Sequence, residues 1–323
     1  MTRTVAVLPG VGPGFADAGL LRSHIEPRLP DWIDARWWTS VEELHALAPE
    51  AEIGWFDLHY KPPQIEAVRL ASGLKWLNSL FAGLDFLDLE EMARRGIQLT
   101  HGSGLTAAQV SEYVLLGMLA FAKDYSAVLR AQDRHDWLQA APGIRDIAGS
   151  KVLLLGFGEI GRLVARQLTA MGAEVVPVRR KAGEGALAAS EWRARLGEFD
   201  WVVLTVPGTA ETERMIGAAE LAAMKRGAVL VNFARGNVID QDALADAVEQ
   251  GRIAGAVLDV AEPEPLPPGH RLWSVPGILI TMHLGGRPTP ASMKRAADRF
   301  LVNCDRYRRG EPLQPTFDAR LGY

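Results

Sequence analysis

The sequence has one cysteine, Cys304, no excess of basic residues and no long apolar run. A single cysteine excludes an intrachain disulfide and a cysteine-rich metal cluster. Lys and Arg number 35 against 39 Asp and Glu, giving a net charge of −4. That balance argues against non-specific binding to nucleic acid or to an anionic membrane. No segment reaches the roughly 18 consecutive apolar residues of a membrane span. We therefore expect a soluble, cytoplasmic protein.

Metal ligation is not expected either, because the histidines outside the motifs described below show no metal-ligand spacing. These are His24, His45, His59, His135 and His270. The apolar run that precedes Pro9 is too short for a signal peptide. A chain of 323 residues is long enough for about two domains.

Short apolar runs alternate with helical patterns along the chain, which is typical of βα units and a parallel sheet. Six runs that are apolar almost throughout predict one doubly wound domain, because strands covered on both faces have this composition. They are Lys151–Leu155, Glu174–Val178, Trp201–Val206, Ala228–Phe233, Gly255–Val260 and Ile278–Met282. Five weaker runs predict a second, smaller α/β domain. They are Thr4–Leu8, Asp34–Trp38, Glu52–Phe56, Leu74–Leu80 and Ile97–Thr100.

Two helical patterns lie near the expected domain boundaries. Thr106–Arg130 predicts one long helix, and Pro290–Arg309 predicts an amphipathic helix that returns to the smaller domain. We therefore assign residues 1–101 and 288–323 to the smaller domain, and residues 102–287 to the larger one.

A glycine motif follows the first strand of the larger domain and opens a helix. It reads Gly156-Phe157-Gly158-Glu159-Ile160-Gly161. In this position the pattern indicates dinucleotide binding. Gly156 allows a tight turn, Gly158 lets the backbone approach a pyrophosphate, and Gly161 permits close packing of helix and strand. The helix N-terminus then faces the phosphates.

The next strand ends in three cations, Arg179, Arg180 and Lys181. An NAD site places an acid there to accept from the ribose 2′-hydroxyl, whereas cations suit the 2′-phosphate of NADP. We therefore expect NADP(H), with NAD(H) as the alternative.

An arginine, a glutamate and a histidine follow three later strands of the same domain. They are Arg235, Glu264 and His283. Each stands at the carboxyl end of its strand, which is the edge where such a sheet binds ligands. An acid beside a histidine is a combination suited to proton transfer.

With these motifs the sequence resembles the D-isomer-specific 2-hydroxyacid dehydrogenase family, over nearly the whole chain and most strongly from Leu105 to Gly286. The resemblance implies a Rossmann cofactor domain and a flavodoxin-like substrate domain. It makes Arg235, Glu264 and His283 the catalytic residues. It assigns the substrate carboxylate to Ala82 and Gly83, with Arg235 and His283 also binding substrate. Further cofactor contacts fall on Thr205, Val206, Pro207, Phe233, Ala234, Asp259 and Gly285.

The implied reaction is the NADPH-dependent reduction of a small 2-keto acid, of the glyoxylate or hydroxypyruvate type, to the 2-hydroxy acid. His283 would donate the proton, Glu264 would orient the imidazole ring, and Arg235 would bind the substrate and polarise its carbonyl. The family also implies a homodimer formed through the cofactor domain.

Other functions remain open at this point. D-lactate dehydrogenase and phosphoglycerate dehydrogenase are alternatives within the family, and a dinucleotide-sensing corepressor is an alternative of another class. The chain departs from the family at Met282, where proline is common, and at Arg287. Arg287 is either an additional cation near the substrate or a solvated residue.

Overall fold

The computed structural model describes residues 3–10, 18–58, 60–84, 86–179 and 185–315. His59, Arg180 and Lys181 lie outside these ranges. The chain forms two compact units. Unit 1 comprises Met1–Thr106 and Pro288–Tyr323, and unit 2 comprises Ala107–Arg287.

The strands of the described residues are all paired in parallel. They are β1 Thr4–Pro9, β2 Ile33–Trp38, β3 Ile53–Gly54, β4 Trp76–Asn78, β5 Gln98–Thr100, β6 Lys151–Leu155, β7 Glu174–Arg179, β8 Leu187–Ala188, β9 Trp201–Leu204, β10 Val229–Asn232, β11 Gly255–Leu258 and β12 Ile278–Ile280.

The α-helices are α1 Ala18–Ile25, α2 Val41–Leu47, α3 Lys61–Leu70, α4 Leu89–Arg94, α5 Ala107–Ala122, α6 Tyr125–Asp133, α7 Glu159–Ala170, α8 Ala218–Ala223, α9 Gln241–Glu249 and α10 Pro290–Arg309. Short 3₁₀ helices span Glu26–Arg28, Ala48–Glu50, Trp192–Glu198, Gly236–Val238 and Arg271–Trp273.

Unit 1 contains a five-stranded sheet in the order β2-β1-β3-β4-β5. The five strands predicted from the apolar runs are therefore confirmed, although β3 and β4 are shorter than expected. Helix α10 covers one face of this sheet through Phe300, whose ring lies 5.4 Å from Trp55 and 5.1 Å from Trp76. All three aromatic side chains are fully buried. The C-terminal helix is thus part of the core of unit 1, and its predicted bounds are confirmed.

Residues 102–106, which the sequence analysis placed in the larger domain, belong to unit 1. Hydrogen bonds explain the assignment. Arg299 of α10 donates to the carbonyl of Ser103 at 2.9 Å, and Arg295 donates to the carbonyl of Leu105 at 2.6 Å. These guanidinium contacts hold the segment against α10.

Unit 2 contains a seven-stranded sheet in the order β12-β11-β10-β9-β6-β7-β8. This is the doubly wound order, with the chain crossing back between β8 and β9, and it confirms the predicted fold class. The prediction of six strands was one short. Strand β8 has only two residues, Leu187 and Ala188, so hydrophobic periodicity could not reveal it.

The strands of unit 2 pair in a register that aligns their carboxyl ends. One rung of paired residues crosses six of them, from Val178 of β7 to Ile280 of β12. Its members are Val178, Leu155, Leu204, Asn232, Leu258 and Ile280. The residues that follow the rung therefore begin together at one edge of the sheet.

The single helix predicted over Thr106–Arg130 is wrong, because the helix breaks between α5 and α6. Asp124 adopts a left-handed conformation with φ 42°, which interrupts the α-helical hydrogen bonds and makes it the N-cap of α6. Aspartate is one of the few residues other than glycine that adopt this conformation readily. No helix among the described residues is long and apolar enough to cross a membrane.

Candidate active site

The glycine motif forms a tight turn between β6 and α7 in unit 2. Gly156 has φ +102°, and a Cβ atom there would lie 2.7 Å from the carbonyl of Thr205. A Cβ atom on Gly161 would lie 2.3 Å from the carbonyl oxygen of Gly156. Both positions therefore require glycine, one for its backbone conformation and the other for the close approach of the helix to the turn.

Gly158 differs from these two glycines, because no heavy atom lies within 4 Å of the position where its Cβ would be. It is the exposed N-cap of α7 and offers no side chain to the first turn. The free N–H groups and the positive end of the helix dipole are thus open to an anion. The geometry of the turn therefore fits a dinucleotide pyrophosphate.

Two arginines flank the ring of Phe157, the second residue of the motif. The Arg179 guanidinium lies 5.6 Å from the ring centroid, and the Arg162 guanidinium lies 5.8 Å from it. Arg179 is the cation expected at the end of β7. Arg162 directly follows Gly161 in the sequence but was not predicted, because only the folded turn brings its guanidinium to the Phe157 ring.

Thr205 closes the other side of the turn. Its hydroxyl donates to the carbonyl of Gly156 at 3.0 Å. Val206 and Pro207 continue from it at the carboxyl end of β9, half-buried like Thr205 itself. The structure thus places this segment directly beside the glycine motif, as expected for residues that share a ligand.

His283 and Glu264 form the central contact of the site. The imidazole Nδ1 lies 2.6 Å from the carboxylate Oε2 of Glu264, and Glu264 Oε1 accepts from the backbone N–H of Ala261 at 3.0 Å. An ionised carboxylate can only accept hydrogen bonds, so Nδ1 carries the hydrogen of this pair. Nε2 is then the nitrogen that can exchange a proton with a ligand.

The environment of Glu264 keeps its carboxyl group ionised. Burial by itself would raise its pKa, but the hydrogen bond and charge of His283, the Ala261 N–H and the Arg235 guanidinium together hold the pKa below its ordinary value. His283 is thus paired with an ionised carboxylate at neutral pH.

Arg235 follows β10 by three residues and is half-buried. Its Nη1 donates to the carbonyl of Ala234 at 2.8 Å. Its stem passes over Gly208, where a Cβ atom would lie 2.7 Å from Arg235 Cγ. Gly208, in the segment after β9, therefore limits the position of the Arg235 side chain. Together with the electrostatic effect on Glu264, this places the three predicted catalytic residues at one edge of the sheet.

Asp259 is buried directly after β11, with 3% of its surface exposed. Its Oδ1 accepts from the hydroxyl of Thr281 at 2.6 Å and from the N–H of Gly285 at 3.2 Å. Its backbone carbonyl accepts from the N–H of His283. Burial raises the pKa of this carboxyl, while these hydrogen bonds and His283 oppose the rise. Asp259 thus fixes the segment that carries His283.

Phe233 and Ala234 are buried between β10 and Arg235. Gly285 packs against two of the predicted cofactor residues, since a Cβ atom there would lie 2.8 Å from Asp259 Oδ2 and 3.2 Å from the Phe233 ring. The structure therefore brings Phe233, Asp259 and Gly285 together. Arg287 is half-buried, and its carbonyl accepts from Gln109 of α5 at 2.7 Å.

Ala82 and Gly83 lie in unit 1, in the loop that follows β4. The carbonyl of Ala82 lies 3.0 Å from Nδ1 of His101. Burial lowers the pKa of His101, to which the nearby Arg299 also contributes, so the ring is neutral at pH 7. Among the described residues, none accepts a hydrogen bond from the backbone N–H of Ala82 or Gly83. Such a loop can bind an anion through its backbone.

No group of three or more His, Cys, Asp or Glu side chains in the described part of the chain could hold a metal ion. What unit 2 offers is a dinucleotide turn, a histidine paired with a carboxylate, and an arginine, all at one sheet edge. This combination defines a nicotinamide-dinucleotide oxidoreductase.

The comparisons with known proteins identify the family. The model of the D-isomer specific 2-hydroxyacid dehydrogenase NAD binding domain matches residues 115–285. The chain belongs to this family. It is an oxidoreductase with a nicotinamide-dinucleotide-binding domain, and it is related to glyoxylate and hydroxypyruvate reductases.

Two curated relatives illustrate the relationship. Glyoxylate reductase of Korarchaeum cryptofilum is 32% identical, and the matched region covers 77% of this chain and 78% of the relative. Glyoxylate/hydroxypyruvate reductase A of Serratia proteamaculans is 30% identical over 83% of this chain and 87% of the relative. A solved structure from Xanthobacter autotrophicus, a family member in complex with NADPH and MES, has a TM-score of 0.77. It is 29% identical and covers 100% of both chains.

The contact between His283 and Glu264 makes a testable prediction about the carboxyl group. In His283→Ala, the pKa of Glu264 is expected to rise, because the imidazole that lowers it is lost while burial remains. Carbon-13 NMR titration of labelled glutamate side chains measures this shift. The matched variant His270→Ala removes a histidine elsewhere in unit 2 and should leave the titration unchanged. A midpoint for Glu264 that stays in place in His283→Ala would contradict the pairing.

Proposed function

We propose that this protein reduces a small 2-keto acid, of the glyoxylate or hydroxypyruvate type, to the corresponding 2-hydroxy acid with NADPH. The observation that carries the proposal is the 2.6 Å contact of His283 Nδ1 with Glu264, at the sheet edge that also holds the glycine motif. The names of the two curated relatives support the substrate class.

Different residues of the chain have different roles in the proposed reaction. Bound NADPH supplies a hydride to the keto carbon. His283 Nε2, as part of an imidazolium paired with Glu264, donates the proton to the carbonyl oxygen and thereby neutralises the charge that develops there. Arg235 binds the keto acid and polarises its carbonyl. The backbone N–H groups of Ala82 and Gly83 hold the substrate carboxylate.

The remaining predicted residues hold the cofactor in this proposal. Gly156, Phe157, Gly158, Glu159, Ile160 and Gly161 would hold the pyrophosphate through the tight turn and the first turn of α7. Thr205, Val206, Pro207, Phe233, Ala234, Asp259 and Gly285 would hold the nicotinamide end of the cofactor. The placement of these residues after successive strands of one sheet supports the assignment.

A direct assay tests the function. NADPH oxidation, followed by absorbance, is measured with glyoxylate, hydroxypyruvate, pyruvate and larger 2-keto acids. We expect the highest kcat/KM with glyoxylate or hydroxypyruvate. The highest kcat/KM with pyruvate would indicate the D-lactate alternative instead. Absence of turnover with every acid, together with dinucleotide binding, would favour the corepressor alternative and contradict the proposed reaction.

His283→Ala should lower kcat by about 10²- to 10⁴-fold, the range of general acid–base catalysis. The variant loses the proton donor but keeps the dinucleotide turn, so its affinity for NADPH should be retained in a fluorescence titration. His270→Ala serves as the control and should keep normal kcat. Full activity in His283→Ala would show that another group donates the proton.

Preference for NADPH over NADH is proposed to depend on Arg179, together with Arg180 and Lys181. Arg179 stands 23 residues after Gly156 (179 − 156), where an NAD site has an acid. Loss of one charge-assisted hydrogen bond is worth about 1.5–3 kcal/mol. Arg179→Asp should therefore lower the ratio of kcat/KM for NADPH to that for NADH by about ten- to a hundredfold.

The matched control for this experiment is Arg166→Asp. Arg166 is an exposed residue of α7. Arg166→Asp therefore makes the same charge reversal as Arg179→Asp, but on the surface of the helix. It should leave the coenzyme ratio unchanged. If Arg179→Asp also leaves the ratio unchanged, Arg179 does not read the 2′-phosphate.

We also propose a homodimer formed through unit 2, as the family implies. Apolar side chains are exposed on α5, on α6 and on the segment that follows them. Trp137 is 87% exposed and Ile144 is 86% exposed. The segment is nevertheless anchored, because Arg145 donates to the carbonyl of Gly227 at 2.7 Å and Lys123 pairs with Asp146 at 2.7 Å. A fixed segment that presents large apolar side chains is suited to a second copy of the chain.

Trp137→Asp combined with Ile144→Asp should convert the dimer into a folded monomer, because two charges would be buried unpaired at the interface. Sedimentation equilibrium gives the mass, and circular dichroism checks the fold. Val302→Asp, on the exposed face of α10 in unit 1, is the control and should remain dimeric. A wild-type mass of one chain would contradict the proposed interface.

A further inference from the structure

A buried carboxylate in unit 1 has no part in the proposed reaction. Asp57 follows β3 and has no exposed surface. An unpaired charge in such a position costs several kcal/mol. Four donors surround its carboxylate instead. They are Trp55 Nε1 at 2.9 Å, Gln64 Nε2 at 3.1 Å, the Ser79 hydroxyl at 2.7 Å and the Leu80 N–H at 2.5 Å.

Two of these four donors belong to the segment that leads into Ala82 and Gly83. Ser79 and Leu80 are bound by opposite oxygens of the same carboxylate. The Ser79 hydroxyl in turn accepts from the N–H of Phe81 at 3.0 Å. One side chain therefore fixes three consecutive residues, and it does so immediately before the loop whose N–H groups have no acceptor among the described residues.

The far side of the segment is held as well. The N–H of Gly102 donates to the carbonyl of Phe81 at 2.8 Å, and His101 contacts the carbonyl of Ala82. Gly102 packs so closely that a Cβ atom there would overlap the carbonyl oxygen of Leu80, at 1.7 Å. The loop is thus bound from two sides next to the N–H groups of Ala82 and Gly83. A donor held in place before binding loses less entropy when an anion arrives.

We propose that Asp57 is a positioning residue for the substrate carboxylate. Its buried carboxylate fixes Ser79–Phe81, so that the N–H groups of Ala82 and Gly83 stay available to an anion. Asp57 itself does not touch the substrate. The inference rests on the proposed function of this loop. Burial raises the pKa of Asp57, and the hydrogen bonds from Leu80, Ser79 and Trp55 oppose that rise.

The test is Asp57→Asn, which keeps the size of the side chain but replaces an acceptor oxygen by an amide donor. The segment then loses one of its two anchors. KM for glyoxylate is expected to rise by about ten- to a hundredfold, with a much smaller change in kcat, because substrate positioning rather than proton transfer is affected. The Kd for NADPH should not change, since the dinucleotide turn belongs to unit 2.

Gln64→Leu is the matched control. Gln64 is fully buried and donates to the same carboxylate, but it lies on α3 and has no hydrogen bond to the loop. It should lower Tm without raising KM. A general loss of packing would instead raise KM in both variants, and an unchanged KM in Asp57→Asn would overturn the inference.

Hydrogen–deuterium exchange separates this inference from the proposed function. In Asp57→Asn, the peptide that contains residues 79–84 should exchange faster, while peptides from α10 keep their protection. This measurement needs no turnover, so it reports on the anchor even if no 2-keto acid is reduced. Unchanged exchange of residues 79–84 would show that Asp57 does not hold the loop. Faster exchange with normal KM would show that the anchored loop does not bind the substrate.

Discussion

The parallel register of the sheet in unit 2 is the constraint on which its site depends. A single rung of paired residues runs from Val178 to Ile280, and the pairing among the six strands that it crosses ends at this level. The chemistry-bearing residues follow that rung after short distances in sequence. Gly156 and Asp259 come immediately after it, and His283 comes three residues later. Because the register is fixed by buried apolar side chains, a shift by one residue would exchange the side chains of the two packed faces and displace the site at the same time. Stability and site geometry are therefore maintained by the same packing.

Three carboxylates, one in unit 1 and two in unit 2, lie in two kinds of environment. Asp57 and Asp259 are buried and surrounded by neutral hydrogen-bond donors, and burial raises the pKa of each. Glu264 is less buried, and an imidazole and a guanidinium hold its pKa low. The contrast matches the roles that we propose for these residues. A carboxylate that stabilises an imidazolium has to stay ionised whatever the state of its partner, whereas one that anchors backbone needs only acceptor oxygens in fixed positions.

Much of unit 2 could be predicted because its signals are local in sequence. Strands covered on both faces are apolar throughout, and the glycine motif gains its meaning from the strand before it and the helix after it. The break at Asp124 could not be predicted in this way, since an apolar period continues across it while one left-handed residue changes the direction of the chain. Arg162 and Asp57 were missed for a different reason. Arg162 contacts the Phe157 ring and Asp57 binds Ser79 and Leu80, and these contacts form only on folding.

The departure at Met282 has a structural consequence. Met282 and His283 have φ of 55° and 57°, two consecutive left-handed residues that both carry side chains. Each costs roughly 1–2 kcal/mol relative to an ordinary conformation. Proline is locked near φ −65°, so the proline common at this position in the family could not adopt this backbone. The strain is offset by Asp259, whose carbonyl accepts from the His283 N–H and whose carboxylate binds Thr281 and Gly285 on either side. A buried aspartate thus determines the direction of the imidazole, as is common where strained backbone serves a site.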